Sequence, residues 1–521
     1  MWSEYVALPP TDANDSMLFA KGCTTYGIGP PPAVASAIMA QPDPNRYPTL
    51  PPGASRSAHD FALAVRRPIE DFLHIEAAGG IVLLVAATIA VLWANSPVAD
   101  WYQALWHTPI GLSLGGWSFS RDLHFWINDG LMTVFFLVVG LEVKREIVQG
   151  ALASWQRAAL PIAAAFGGMV VPAALYVLLN PAEPFRAGWG VPMATDIAFA
   201  VGILTLLGKR VSPSMRVLLL ALAIIDDVGA ILVIAVFYTS NLNPTGFYLA
   251  GFGLLVLYTF VRTGVRPAIG LLAIPLIIIW AGLFTAGIHP TLAGVIVGLA
   301  VPVQPWVGAA GFLAMARKAM GDFQVRMTAQ ASDHDLLEPL EELAFAKREA
   351  ISPAVWLEHA MHPWVAYAIM PVFALANAGV TLSGISLAEP GLVGVFSGVS
   401  LGLFLGKPLG VLLLAWLAVR LRLGTLPVGV SWGGVLVVGL VAGIGFTMAI
   451  FIAELAFTSP ALLAVAKLGV LASTALAATT ALLVGRMLLP LPTVEPAASD
   501  SDVERSNEAW HTTETAVRAS G

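Results

Sequence analysis

Asp226 and Asp227 stand side by side inside an otherwise apolar stretch that runs from Leu218 to Phe237. They lie eleven and twelve residues beyond Met215. At about 1.5 Å per helical residue that is roughly 17 Å, near the middle of a hydrocarbon layer about 30 Å thick. Ionisable side chains at such depth are costly and mark functional sites. Consecutive helical residues diverge by about 100°, so the two carboxylates cannot face one direction, yet they stay within a few ångströms of each other. Burial and mutual repulsion let such a pair hold a proton that a cation can displace. The chemistry is therefore ion exchange. An intramembrane aspartyl protease would need its two acids on facing helices, sharing one water, and adjacent aspartates diverge.

Few other ionisable residues lie this deep. Lys407, in Gly406-Lys407-Pro408-Leu409-Gly410, sits near the centre of a second apolar stretch. It is too far from either surface to snorkel, so it needs an acid, and Asp196, Asp226 and Asp227 are the acids at that depth. Asp196 follows Gly188-Trp189-Gly190-Val191-Pro192-Met193-Ala194-Thr195. A second weakened stretch carries Gly439 and Gly443-Ile444-Gly445-Phe446-Thr447. Helices broken at these points leave bare N–H and C=O ends in the membrane. An anionic Asp196 near positive helix ends and a cationic Lys407 near negative ends would compensate them. Asn128 and Asp129 open another apolar helix, as a cap or a polar cluster. His289 opens a short one, where an interfacial cap is the plainer role. Glu142 and Glu454 fall near helix ends and are expected at the interface.

Twelve apolar segments hold these residues, at roughly 74–95, 124–142, 158–179, 190–207, 215–239, 245–262, 268–286, 289–302, 360–380, 392–419, 434–457 and 462–489. Most are long enough to span a membrane as helices. The expected fold is an all-α polytopic membrane protein with twelve transmembrane helices. Composition agrees, since 57% of the 521 residues are hydrophobic and 12% charged. That balance excludes a soluble enzyme, a disordered chain and a nucleic-acid binder. The net charge of −6 suggests no polyanionic partner. The single cysteine, Cys23, excludes an intrachain disulfide. No phosphate-binding loop appears, so an ATP-driven pump is not expected.

Basic residues in the short loops set the orientation. Lys144, Arg145, Arg157, Lys209, Arg210, Arg216, Arg262, Arg266, Arg420 and Arg422 follow even-numbered segments, whereas only Arg121, Arg186 and Lys467 follow odd-numbered ones. Both termini are then cytoplasmic. Residues 1–66 and 491–521 read as disordered cytoplasmic tails flanking a membrane domain at 67–490, and the first does not read as a signal peptide. Residues 303–359 form a long cytoplasmic insert, of which about 336–350 is expected as a surface helix. Within 96–123, apolar residues alternate on both sides of Gly115-Gly116 (Ile110, Leu112, Leu114, then Trp117, Phe119), which predicts a β-hairpin. A hairpin alone in water is marginal, so it must lie on the membrane or pair with another chain.

The stretch Phe135-Phe136-Leu137-Val138-Val139-Gly140-Leu141-Glu142-Val143-Lys144-Arg145-Glu146 resembles the NhaA family of Na+/H+ antiporters. So do Ala194-Thr195-Asp196-Ile197-Ala198-Phe199, Ala223-Ile224-Ile225-Asp226-Asp227, Gly406-Lys407-Pro408 and Gly443-Ile444-Gly445-Phe446-Thr447. Further motifs at 291–298, 362–367 and 373–379 extend the likeness, in order, over about 67–489. The resemblance implies an inverted repeat relating helices 3–5 to 10–12, with two discontinuous helices crossing near mid-membrane. It implies that Asp226 and Asp227 bind Na+ or Li+ and protons, with Thr195 beside them. Asp196 and Lys407 would compensate the helix ends, Lys407 pairing with Asp226. It further implies electrogenic exchange of two protons per Na+, a bacterial inner-membrane location, no cofactor beyond the transported ions, and a homodimer through the hairpin at about 108–120. A pH-responsive cluster would map to Glu142, Arg145, Glu146, Glu358, His359 and His362. The rival functions are another proton-coupled transporter and a passive cation channel of the same topology.

Overall fold

In the computed structural model the described residues are 78–115, 117–239, 242–263, 269–381 and 390–491. The expected tails at 1–66 and 491–521 lie outside them, except for Leu491. The chain is a multi-span helical membrane protein with one two-stranded hairpin. Among the described residues, five helical segments are individually long and apolar enough to cross a membrane, and up to eight are if each bent pair forms one span. Outward-facing apolar side chains such as Tyr248 and Leu178, more than three-quarters exposed, suit a lipid surround.

Helices α1 (Ala78–Ala94) and α2 (Ala99–Trp106) meet at 116°. Strands β1 (Pro109–Leu114) and β2 (Trp117–Asp122) follow, antiparallel, with Leu114 paired to Trp117 across the two-residue turn. This is the hairpin that the alternation predicted, and Gly115 supplies the positive φ (61°) that its turn demands. The short helix α2 was not anticipated. The hairpin is anchored on its own chain: Phe119 meets Phe284 edge-on at 6.0 Å, and Trp126 Nε1 donates to the Ile110 carbonyl at 3.1 Å.

A π turn at Trp126–Leu131 leads into α3 (Met132–Val148). Next come α4 (Trp155–Leu179) and a 3-10 segment, Phe185–Met193, which meets α5 (Ile197–Leu206) at 47°. Helix α6 (Pro213–Phe237) starts where Ser212 accepts the Met215 N–H and Pro213 fills the first turn. Helices α7 (Pro244–Arg262), α8 (Ile269–Ala286) and the short α9 (Leu292–Ala300) follow.

The insert holds two helices, α10 (Gly308–Thr328) and α11 (Asp333–Glu349). The expectation of one helix is thus corrected. The anticipated α11 begins at a capping box, where Ser332 and Asp335 satisfy each other's backbone donors. The unforeseen α10 has alternating charges and methionines, which blur its periodicity. Helix α12 (Pro353–Trp364) begins within the expected insert, because Ser352 and Pro353 supply a start signal upstream of the purely apolar run. It continues through a π turn at Val365–Ile369 into α13 (Met370–Asn377).

Helix α14 (Pro390–Leu401), a π turn at Gly402–Gly406 and α15 (Lys407–Arg420) form one long span. Helices α16 (Trp432–Ala442) and α17 (Phe446–Ala456) meet at 47°, and α18 (Pro460–Leu488) closes the body. Lys467 lies inside α18 and not in a loop, a correction that removes one of the three exceptions to the charge asymmetry. Helices α4 and α15 approach until backbones touch. A Cβ on Gly167 would stand 2.1 Å from the Gly410 carbonyl oxygen, and the reverse substitution is equally blocked. That contact holds Lys407 close to the first broken span.

Candidate cation-exchange site

Two unwound segments cross at the centre of the body. The first is Ala194–Asp196, between Met193 and α5, and the second is Gly443–Gly445, between α16 and α17. The Asp196 N–H donates to the Ile444 carbonyl at 2.8 Å, and Thr195 Oγ1 contacts the Ala442 carbonyl at 3.0 Å. Gly190 and Pro192 precede the first break and Gly443 and Gly445 bound the second, which is why the helical ladder fails there and leaves groups for the partner segment.

The exposed helix ends are met by side chains of opposite charge. Asp196 Oδ1 accepts the Phe199 N–H at 3.0 Å at the start of α5. Its Oδ2 accepts the Thr447 N–H at 3.1 Å at the start of α17, and also the Thr447 hydroxyl. One carboxylate thus caps two helix N-termini. At the opposite pole, Lys407 Nζ donates to the Met193 carbonyl, at the end of the 3-10 segment. Thr195, Asp196, Lys407 and Thr447 are all fully buried.

Asp226 of α6 reaches this crossing, and Asp227 beside it is buried as well. Asp226 Oδ2 lies 2.8 Å from Lys407 Nζ and accepts the Thr195 hydroxyl at 2.7 Å. Of the three acids open to Lys407 on depth alone, the ammonium therefore pairs with Asp226. Asp226 Oδ1 and Asp227 Oδ2 are buried with no hydrogen-bond partner among the described residues. Unsatisfied carboxylate oxygens are expensive. Both are hard oxygen donors, of the kind that suits a small alkali cation or a proton. Among the described residues no group of three or more His, Cys, Asp or Glu side chains could hold a resident metal ion.

Residues 70–484 match the family model described as Na+/H+ antiporter 1. The Na(+)/H(+) antiporter NhaA 2 of Sorangium cellulosum (strain So ce56) is 55% identical over 459 residues, covering 88% of this chain and 98% of the relative. Its namesake from Myxococcus xanthus (strain DK1622) is 52% identical over 469 residues, covering 90% and 99%. The Na(+)/H(+) antiporter NhaA of Cupriavidus necator is 52% identical over 415 residues, covering 80% and 88%. The chain belongs to the NhaA family of Na+/H+ antiporters.

The residues expected from the family likeness to respond to pH are brought together only in part. Arg145 reaches Glu358 at 2.6 Å and Glu146 at 3.3 Å, and Glu146 also accepts the Ala151 N–H at 2.9 Å. Glu142 lies partly buried one turn before Glu146 on α3, while His359 and His362 are exposed on α12. Burial holds the Glu358 carboxyl above its ordinary value, and the Arg145 guanidinium pulls it back down.

Three features of the NhaA body escaped the sequence reading. Thr447 clamps Asp196 from the first turn of α17, whose own N-cap, Gly445, has no side chain to bond with, so the cap comes from a distant span that no local pattern announces. Asp129 and His289 were singled out separately but face each other, with Oδ1 3.4 Å from Nε2. Glu454 was placed at the interface, yet it lies in a side-chain pair with Lys467 at 2.5 Å, and both are mostly buried.

Proposed function

We propose that this protein exchanges cytoplasmic Na+, or Li+, for external protons at Asp226 and Asp227. The observation that carries this reading is a pair of adjacent buried carboxylates, each with one oxygen that meets no hydrogen-bond donor, beside a buried ammonium. A site already neutralised by protein donors would have nothing to offer a cation. This one keeps two oxygens for cargo and holds its counter-charge, Lys407, on the other side of Asp226.

The cycle follows from competition. Protons and Na+ displace each other from the two carboxylates, so exchange rises with pH without a separate sensor. Thr195 orients Asp226 Oδ2, leaving Oδ1 to the cargo. Asp196 and Lys407 keep the crossing electrically balanced while helix ends shift. The loaded site, its negative charge neutralised, crosses between faces, whereas the empty site is held back by its charge. An inward proton gradient then drives Na+ out, with two protons returning for each Na+. The finer architecture we infer is twelve helices with inverted repeats of helices 3–5 and 10–12, in the bacterial inner membrane with both termini cytoplasmic. The two 47° breaks and their mutual hydrogen bonds support that symmetry. A homodimer through the hairpin at about 108–120 completes the reading, supported by the exposure of most of the hairpin's described residues.

The test uses acridine-orange fluorescence in everted vesicles. Adding Na+ should dissipate the pH gradient, more strongly as pH is raised from about 6.5 to about 8.5. Asp227→Asn at equal abundance should abolish the response, since an amide neither releases a proton nor supplies charge. A passive channel would move Na+ without saturation and without dependence on the pH gradient.

A further inference from the structure

Helix α17 leads away from the crossing. Thr447 touches Asp196, Phe451 comes one turn later, and Glu454 comes about 10 Å beyond Thr447 on the same face. Phe451 is buried, with its ring 5.6 Å from that of Phe136 and 6.2 Å from that of Phe373. These rings come from α17, α3 and α13. Each span carries a polar residue one or two turns further out: Glu454 beyond Phe451, Asp129 (on the π turn ahead of α3) beyond Phe136, and Asn377 beyond Phe373.

The outer residues are linked to one another. Glu454 pairs with Lys467 at 2.5 Å and lies 3.8 Å from His124. His124 Nε2 contacts Asn377 Oδ1 at 2.9 Å, and Asn377 donates to Asn128 at 2.8 Å. Asp129, the next residue, faces His289, whose ring lies edge-on to Phe451 at 5.5 Å. Two polar layers are therefore separated by one packed aromatic layer. An ion must be stripped of water to pass such a layer, so the rings close the path on this side.

We propose that Phe136, Phe373 and Phe451 form the gate between the exchange site and the external face, opening onto the polar layer of Glu454–Lys467 and Asp129–His289. The proposal rests on Asp226 and Asp227 being the exchange site and on the cytoplasmic termini. It assigns the final desolvated step of Na+ release, and the first of proton entry, to the passage of these three rings.

Proteoliposomes holding a pH gradient without Na+ test the gate directly. Phe451→Ala should speed decay of the gradient by about tenfold or more, because the outer barrier fails whenever the inner side is open. Phe451→Leu, which fills most of the space, should stay tight. Decay at the native rate for Phe451→Ala, at equal reconstitution, would overturn the proposal. If that variant does not reach the membrane, Phe136→Ala is read by the same standard. A second measurement uses Cys23→Ser with Phe451→Cys and a charged, impermeant thiol reagent. Labelling from the external face should accelerate when Na+ is added at alkaline pH. Labelling from the cytoplasmic face alone, labelling indifferent to Na+, or none would each refute the gate. The leak assay contains no Na+, so Asp227→Asn retaining exchange would sink the site assignment without touching this result.

Discussion

Removing the Lys407 ammonium separates its two structural duties from its competition with the cargo. Lys407 Nζ lies 2.8 Å from Asp226 Oδ2 and also serves the Met193 carbonyl at a helix end. Both charged groups are fully buried, so solvent cannot replace the lost partner. Breaking a buried pair by deleting one member costs about 3–5 kcal/mol. With an unfolding entropy of about 2.1 cal/mol/K per residue over roughly 400 ordered residues, 1 kcal/mol moves the midpoint by about 1 °C. Lys407→Ala should therefore lower the melting temperature in detergent by about 3–6 °C. The charge left on Asp226 is then balanced only by a proton or by Na+. The acid holds its proton more tightly, and exchange should begin at higher pH. Added Na+ should restore part of the lost stability, because the cation now fills the ammonium's role. Lys407→Arg keeps the charge. The guanidinium is broader than the ammonium it would replace in a fully buried place, so intermediate stability is expected. A Lys407→Ala protein with native melting temperature and native pH profile would refute the pairing and the charge argument built on it.

Gly167→Val would drive its side chain into the Gly410 carbonyl, 2.1 Å from the built Cβ, and should lower the melting temperature by separating α4 from α15. Native stability would mean that these helices have room to part. Deleting 111–118 should shift the detergent-solubilised protein from dimer to monomer by light scattering while exchange per protomer persists, because the ion path runs inside one chain. Deleting residues 1–60 should leave exchange intact at equal abundance, since every group of the site lies between Thr195 and Thr447; lost activity would assign the extension a role. Burial raises Glu358, so the stability it contributes is present below the ordinary glutamate value of about 4.3 and is lost as pH rises through its folded value. Glu358→Gln should therefore fall less in melting temperature than the native protein between about pH 4 and about pH 6. Equal slopes would show that the Arg145 pair fully offsets the burial.

How far the sequence could be read depended on whether the deciding physics was local. Asp226, Asp227, Asp196 and Lys407 were legible because each interrupts an apolar run, and depth in a bilayer is a matter of counting residues. The hairpin was legible because alternation and a two-glycine turn lie within twelve residues. Helix α10 was not, because its charges and methionines are spread around the helix and its one buried residue, Ala319, is too small to announce a packed face. The pairs were hardest. Asp129 and His289 are separated by 160 positions, and each has a sensible solitary reading as a cap. Glu454 and Lys467 are only 13 apart, but it is the turn between α17 and α18 that folds them together, mostly buried. Depth gives a charged residue its cost and not its partner.

Partners follow from which helices cross, and the crossings here are set by small residues and helix breaks. The Gly167–Gly410 contact brings α15 against α4, and the α14–α15 span delivers Lys407 to the end of the 3-10 segment at Met193. The two breaks then bring Asp196 to Thr447 and Thr195 to Asp226. Asp196 and the Lys407 ammonium thus sit where the two broken spans have lost the backbone's own hydrogen bonds, and Asp226, on the unbroken α6, is held against them. In the proposed cycle the helix ends shift, and a small displacement of either break would alter how strongly Thr195 and Lys407 hold Asp226. The exchange chemistry and the weakness of the two helices are for that reason one design: strengthening either break with helix-forming residues should stabilise the body and slow the turnover.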